Sequence, residues 1–404
     1  MIAIHSDHVV SPKDSGIGYD ILSGYIVIEG ENIKDVLPSL PDSFDGKVYD
    51  FGKSIIMPAI VEPHTHAIFG GDRASEFHMR MQGASYVEIA KAGGGILSTM
   101  SKTRQASDEE LASLLKKRLD IFLKNGALTV EVKSGYDLTH EGEIRLLKII
   151  RNTGAWHDVD VYATYLGAHA VPKDRDRNDY IEEIVGRTLP EIREKELADF
   201  VDVFCDETAY NVSEALKIFT RAKELGFAIK VHAEELKHTG ISKEAAKLGA
   251  LSADHLIKVE REDLTVMKEH GTIPTLLPPT VYLLKEDLTR TLRLLDEIGM
   301  PFAMATDFNP GSSPVISTWT MVDIAITRFG IPLERIIPAI TIMAARALGL
   351  SDRGQVNAGK KAYLIALEVD NLEYLGYLFG VSPVKAVFKG EHIVYEHEDS
   401  NVWI

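Results

Sequence analysis

Six side chains scattered along the 404 residues could do metal chemistry together: His64, His66, His169, His232, His255 and Asp307. His64 and His66 are two apart, and in an extended segment side chains at that spacing point the same way, so both imidazoles can grip one ion. A third imidazole from His232 and a carboxylate from Asp307 complete a set of three nitrogens and one oxygen. Such a set suits one divalent metal ion, Zn²⁺ first and Fe²⁺ equally by ligand type, with a position left for water. A bound cation brings the pKa of water down toward about 7, which makes a strong nucleophile available at neutral pH. A lone His-x-His carries little weight; what matters is whether the other groups reach the same place.

Glu235 follows three residues after His232, in His232-Ala233-Glu234-Glu235. A carboxylate there can orient or deprotonate an attacking water, or hold a ring nitrogen of a substrate. Its neighbour Glu234 is expected to be solvated. Lys133 is a rival metal residue, since a modified lysine can bridge two ions, but a structural ion pair is the expected role. The end of the apolar run 200–205 offers Cys205 and Asp206 rather than a lysine, which leans toward one ion, although Asp206 leaves a second open. The remaining histidines, His5, His8, His78, His140, His157, His238, His270, His392 and His397, are expected to be solvated or packed.

The elements that must position these groups can be read from the middle of the chain. Eight short apolar runs occur at 55–61, 127–132, 159–166, 200–205, 227–231, 251–253, 272–276 and 302–305. Amphipathic stretches with helix starts lie between most of them. Ser107-Asp108-Glu109-Glu110 has the form of a capping box, with Glu110 reaching back, and Asn211-Val212-Ser213-Glu214 repeats it more weakly. Eight strand–helix units predict an α/β fold, a closed (β/α)₈ TIM-type barrel over 56–350. Such barrels carry their chemistry at the C-terminal ends of the strands. His64 and His66 follow the first run, His169 the third, while His232, His255 and Asp307 end the fifth, sixth and eighth. An open doubly wound sheet would show a phosphate fingerprint, and Gly93-Gly94-Gly95 lacks that spacing and reads as a flexible loop.

The two ends of the chain differ from the middle. Short strands such as Tyr25-Ile26-Val27-Ile28 fill residues 1–55, and Tyr363-Leu364-Ile365-Ala366-Leu367 and Ala386-Val387-Phe388 recur within 351–404. These segments are expected to pair into one small β-sandwich-like domain. The net charge of −16 argues against nucleic acid or an anionic membrane as partner, yet leaves room for a small anionic substrate held by one well-placed Arg or Lys. Cys205 is the single cysteine, so no internal disulfide or thiolate cluster is possible. No leader pattern and no run of about 20 apolar residues is seen, so a cytoplasmic protein is expected, as a homodimer.

Pro63-His64-Thr65-His66, His232-Ala233-Glu234-Glu235, Ala253-Asp254-His255-Leu256 and Thr306-Asp307-Phe308-Asn309-Pro310-Gly311 together resemble the amidohydrolase superfamily. Four more stretches resemble the imidazolonepropionase family in particular: Phe69-Gly70-Gly71-Asp72-Arg73, Gly93-Gly94-Gly95-Ile96-Leu97-Ser98-Thr99, Glu131-Val132-Lys133-Ser134-Gly135-Tyr136 and Leu166-Gly167-Ala168-His169-Ala170-Val171-Pro172. The resemblance implies hydrolysis of 4-imidazolone-5-propanoate to N-formimidoyl-L-glutamate. It implies metal ligation by His64, His66, His232 and Asp307, and substrate contacts from Arg73, Tyr136, His169 and Glu235. It also implies product contacts from Asn309, Gly311 and Ser312. An Arg fork suits a propanoate. His255 is placed to stabilise an oxyanion, and Asp307 with Glu235 to relay a proton. Where the family usually has glycine, Asp137 follows Tyr136, which puts a charge beside the expected propanoate pocket unless it points away. Two other readings stand beside this one. A deaminase of a cyclic amidine or pyrimidine would share the ligands but needs no carboxylate clamp, and a non-catalytic scaffold barrel would be expected to have lost a ligand.

Overall fold

The computed structural model describes residues 1–83, 94–206 and 209–397, so Gly93 of the glycine run lies outside the described residues. The chain opens with β1 (Ile2–Pro12), β2 (Tyr19–Glu29), β3 (Asn32–Leu37), β4 (Lys47–Asp50) and β5 (Ile55–Pro58). Eight parallel strands follow in sequence order: β6 (Ile60–Glu62), β7 (Ala127–Lys133), β8 (Asp160–Ala168), β9 (Phe200–Cys205), β10 (Ala228–Ala233), β11 (Ser252–His255), β12 (Ile273–Leu276) and β13 (Ala303–Met304). The chain then returns to the first sheet through β14 (Tyr363–Leu367), β15 (Val384–Lys389) and β16 (His392–Glu396).

The terminal strands form one mixed sheet in the order β16-β15-β14-β5-β1-β2-β3, with β4 also pairing β1. It folds over on itself. Asn32 bridges to Lys361, and Glu391 takes both the Met1 amino group at 3.0 Å and the Gly30 N–H at 2.7 Å. Ile4, Ile26, Ile28, Ile33, Leu364 and Phe388 fill the enclosed face. Each such side chain contributes about 1.5–3 kcal/mol when fully buried.

The apolar run 55–61 is two strands rather than one. β5 pairs antiparallel with β14 in the terminal sheet, and β6 pairs parallel with β7 in the barrel. The handover occurs at Ala59 and Ile60, whose N–H groups donate to Tyr363 O at 2.8 Å and Gly126 O at 2.9 Å. Both strands are buried on both faces, so no polar residue marks the break.

Closure of the barrel between β13 and β6 is made by few contacts. Thr65 bridges to Phe308, His66 N donates to Phe308 O at 2.9 Å, and Thr306 N donates to Glu62 Oε1 at 3.0 Å. Around the barrel the helix starts differ in one respect from expectation. The reciprocal capping box forms at Asn211 and Glu214, whereas Ser107 only accepts from Glu110 N at the head of helix Asp108–Lys124.

Asp160, at the start of β8, fastens the sheet to the barrel. Its carboxylate takes Arg353 Nη1 at 2.9 Å, the Tyr363 hydroxyl at 3.0 Å and Lys389 Nζ at 2.8 Å. Burial alone would raise its pKa, but Lys389 and Arg353 outweigh that and hold the carboxyl below its usual range. Its contribution is therefore present above the unfolded-state value and fades as pH falls through the lower folded one. Asp160→Asn should lower the unfolding free energy by about 2 kcal/mol, because two cations lose their partner in a half-dry setting. Urea unfolding at neutral pH and again below pH 3 checks this; a loss that persists undiminished in acid would contradict the charge argument.

Candidate active site

All six groups come together at the C-terminal mouth of the barrel, five of them as one cluster with His169 beside it. His64 and His66 lie just beyond β6, His232 near the end of β10, His255 on the last residue of β11 and Asp307 shortly after β13. All five are at most 2% exposed. His66 Nε2 and His232 Nε2 face each other at 3.4 Å. Asp307 Oδ1 stands 3.5 Å from His64 Nε2 and 3.3 Å from His66 Nε2. Donor atoms of His64, His232 and His255, and those of His64, His66 and Asp307, lie within 4.8 Å of one another. His255 (φ 79°) and Asp307 (φ 51°) both hold left-handed backbone, which non-glycine residues adopt at a cost and chiefly where a site demands it.

These groups fit a metal ion. His64 Nε2, His255 Nε2 and Asp307 Oδ1 are buried and have no hydrogen-bond partner, an arrangement that is costly unless a cation sits among them. The far sides of His64, His232 and Asp307 are already held. His64 Nδ1 meets Asp254 Oδ2 at 2.6 Å, His232 Nδ1 meets Asp202 Oδ2 at 3.0 Å, and the Thr280 hydroxyl donates to Asp307 Oδ2 at 2.6 Å. Carboxylates on the outer nitrogens fix ring orientation and tautomer, as metal-binding imidazoles require.

Below the mouth the barrel lumen is charged. Lys133 Nζ pairs with Glu131 at 2.8 Å and Asp202 at 2.8 Å, while Lys230 Nζ reaches Glu131 at 3.1 Å and Asp254 at 3.8 Å. All five side chains are fully buried. Lys133 is thus a structural ion pair, and it sets the carboxylate that in turn holds His232.

Glu234 is not solvated, contrary to expectation. Its carboxylate accepts from Thr239 N at 2.6 Å and from Ser242 N and Oγ at 3.2 and 3.1 Å, at the head of helix Ile241–Lys247. A left-handed turn at Glu234 (φ 54°) sends that side chain to the free N–H groups of the helix. Glu235 is left facing the mouth, 3.7 Å from His255 Nε2. Burial, helped by Asp307 and Asp206, pushes its carboxyl up to about 8. Burial also lowers His255 to about 4 and His169 to about 3, so both rings are neutral at pH 7.

The expected substrate groups line the same opening. The His169 ring stacks on His66 at 5.1 Å, and the Tyr136 ring lies 5.9 Å from His66 and 5.5 Å from His169. Glu143, itself buried, gathers the N–H groups of Gly135, Asp137 and Leu138 within 2.9 Å and so fixes the loop that carries Tyr136. Asp137 points away from the pocket, toward Arg104 and Thr139 Oγ1. Arg73 Nε donates to Thr99 Oγ1 at 2.7 Å, and a Cβ at Gly311 would run into Arg73 Nη1. Asn309 Oδ1 accepts from Gly311 N and Ser312 N, both at 2.8 Å, and its Nδ2 donates to Asp307 O at 2.7 Å, so its amide builds the loop.

Sequence reasoning passed over Asp202, Asp254, Thr280, Thr99, Glu143 and Arg80. Two of them carried a signal: Asp202 and Asp254 are charges inside strand runs, at positions whose period-two partners face the lumen.

Residues 55–394 match the amidohydrolase family. The imidazolonepropionase of Shewanella baltica is 42% identical over 345 residues, which cover 85% of this chain and 84% of that protein. The imidazolonepropionase of Shewanella frigidimarina is 42% identical, with 84% of this chain and 83% of its own length covered. Among solved structures, atrazine chlorohydrolase from Arthrobacter aurescens, complexed with zinc, shares the fold with a TM-score of 0.73 at 14% identity, over 98% of this chain and 95% of that one. The 5-methylcytosine deaminase from Klebsiella pneumoniae does so with a TM-score of 0.73 at 15% identity, over 98% of each chain.

Proposed function

Since the chain belongs to the amidohydrolase family and, within it, to the imidazolonepropionases, we infer that it opens the cyclic amide of 4-imidazolone-5-propanoate by hydrolysis, giving N-formimidoyl-L-glutamate. One observation supports this above the rest: a guanidinium with no carboxylate partner among the described residues, Arg73, lies in the same mouth as the cluster of imidazoles and Asp307. A deaminase acting on a neutral base has no use for that cation.

His64, His66, His232 and Asp307 would hold one divalent ion, Zn²⁺ or Fe²⁺, which suits three nitrogens and a carboxylate oxygen. When bound, that ion supplies Lewis acidity toward the lactam oxygen and toward water. The chain's own residues do the rest. Arg73, with the Tyr136 hydroxyl, binds and orients the propanoate. Asp307 Oδ1 accepts a proton from the water that adds to the ring carbonyl carbon, while Thr280 keeps Oδ2 in place. His255, neutral and buried, donates to the carbonyl oxygen as negative charge develops there. The carbon–nitrogen bond then breaks, and Asp307 returns the proton to the leaving nitrogen. Glu235, still protonated at pH 7, donates to the ring and holds it in line.

A direct assay tests the reaction: purified, metal-replete protein with freshly generated imidazolone propanoate, following formation of formimidoylglutamate. Absence of turnover at full metal occupancy would sink the reading and favour cyclic amidines. Arg73→Ala should raise KM about 100-fold, the size of a charge-assisted bidentate contact, and leave metal content unchanged. Unaltered KM would remove Arg73 from the site. Stripping the ion with a chelator should lower Tm by several degrees, since an ion at about 1,000 times its Kd stabilises by about 4 kcal/mol. An unmoved melting curve would mean that the cluster binds no ion.

We further propose a division into a β domain of 1–55 with 351–404 and a barrel of 56–350, and a cytoplasmic homodimer with no nucleic-acid or membrane partner. The acidic net charge of −16 supports the last point, and no helix among the described residues is long and apolar enough to cross a membrane. A monomer in sedimentation equilibrium would overturn the dimer.

A further inference from the structure

Arg80 is a second guanidinium at the active-site mouth for which the reaction above has no task. It sits near the end of helix Ala74–Met81, which begins directly after Arg73. Its Nη2 donates to Gly311 O at 3.3 Å, a long contact, and its Nε is buried with no acceptor. Arg73 closes on the other side of the same glycine, where any Cβ would meet its Nη1. No carboxylate lies within ion-pair distance of either guanidinium among the described residues. Glu76, one turn before Arg80, attracts it at longer range but accepts from Gly95 N at 2.9 Å.

This is unusual in a chain with 60 acidic residues against 44 basic ones, where most buried or half-buried cations have found a carboxylate. Arg118, the third guanidinium nearby, differs. It donates to Ala67 O and Phe69 O at 2.8 and 2.9 Å and lies over the Phe69 ring at 3.5 Å, so its hydrogen-bonding and stacking positions are filled. Two like charges gathered on one glycine repel each other, and Arg80 loses stability as a cation through burial first and Arg73 second. An anion between them reverses the sign of that interaction.

We propose that Arg80 is a specificity-determining residue that works with Arg73 as a two-guanidinium clamp on the side-chain carboxylate of the substrate, with Gly311 as the gap that lets both forks reach it. The inference rests on the reading of the site given above, in which Arg73 meets that carboxylate. Arg80 touches no reacting atom. It selects a negatively charged side arm over a neutral one of the same length.

The test compares 4-imidazolone-5-propanoate with its uncharged propanamide counterpart in wild type, Arg80→Gln and Arg80→Lys. Arg80→Gln should raise KM for the propanoate by about 10–100-fold with kcat changed less than about threefold, the range for one charged hydrogen bond. The preference for propanoate over propanamide should fall by a similar factor, and Arg80→Lys should recover part of it. A role confined to bracing the 309–313 loop would lower kcat/KM for both compounds equally and leave the preference intact, which would overturn the proposal. Calorimetric binding of imidazole-4-propanoate and imidazole-4-propanamide to the same proteins gives the same ratio without turnover. If wild type binds the propanoate ligand more tightly and Arg80→Gln does not, the clamp stands even where the reaction assigned above fails. If both proteins discriminate equally, Arg80 is no part of the clamp.

Discussion

His232→Ala should strip the protein of bound metal and of turnover in one step, from about one ion per chain to less than a tenth, with kcat/KM down by at least about 10⁴-fold. Under the proposed ligand set the imidazole would contribute one of three nitrogens, and its Nε2 lies 3.4 Å from that of His66. His255 already shares the cluster with His64, so it adds no new nitrogen, and Glu235 is held back by a carboxyl pushed up to about 8. The change also leaves Asp202 without its His232 neighbour at 3.0 Å, so a melting curve belongs beside the metal analysis. Asp202 keeps Lys133 at 2.8 Å, and the fold should survive. Full metal occupancy in a folded His232→Ala protein would refute the ligand role.

Asp307→Asn should cost about 10³–10⁴ in kcat, the upper part of the range for a positioned acid–base group, while KM moves little. Asparagine is the right probe because it tolerates the left-handed backbone at this position (φ 51°) and can keep a contact with Thr280. What it lacks is an oxygen that can take a proton. Burial by itself would raise the Asp307 carboxyl, but the His64 and His66 imidazoles beside it, at 3.5 and 3.3 Å, hold it far below the ordinary range. It therefore stays ionised at neutral pH. Metal analysis must accompany the kinetics, since one oxygen ligand is weakened too. A kcat within tenfold of wild type at equal metal content would move the proton relay to Glu235.

The residues that carry chemistry were legible because strand ends were. His64, His66, His232, His255 and Asp307 each follow an apolar run, and a parallel barrel brings such positions to one rim whatever their separation in sequence. The division of labour between Glu234 and Glu235 was not legible, because it hangs on a single left-handed residue at the end of β10. Period-two patterns did hold the charged lumen in plain view: Glu131 and Lys133 in β7, Asp202 in β9, Lys230 in β10 and Asp254 in β11. Read as breaks in hydrophobicity they look like errors; read as one face of each strand they are a layer. The split of 55–61 into β5 and β6 leaves no such trace, since each half is buried in a different sheet. Arg80 does not stand out in the sequence because helices are full of arginines, and only its buried Nε without an acceptor, beside Gly311, sets this one apart.

The charged lumen has a consequence for which ion the barrel can accept. Glu131, Asp202, Asp254 and Asp307 bring four negative charges into space that water does not reach, and Lys133 and Lys230 bring two positive ones. Counted over these six side chains alone, negative charge exceeds positive by two, and an uncompensated charge in such a medium costs several kcal/mol. A monovalent ion leaves the deficit half open. A trivalent ion, or a second divalent one, overshoots it. One divalent cation would close it, so under the proposed ligand set the barrel would discriminate among ions by valence largely through charges set back from the ion, with Asp307 the one of these six side chains that would touch it.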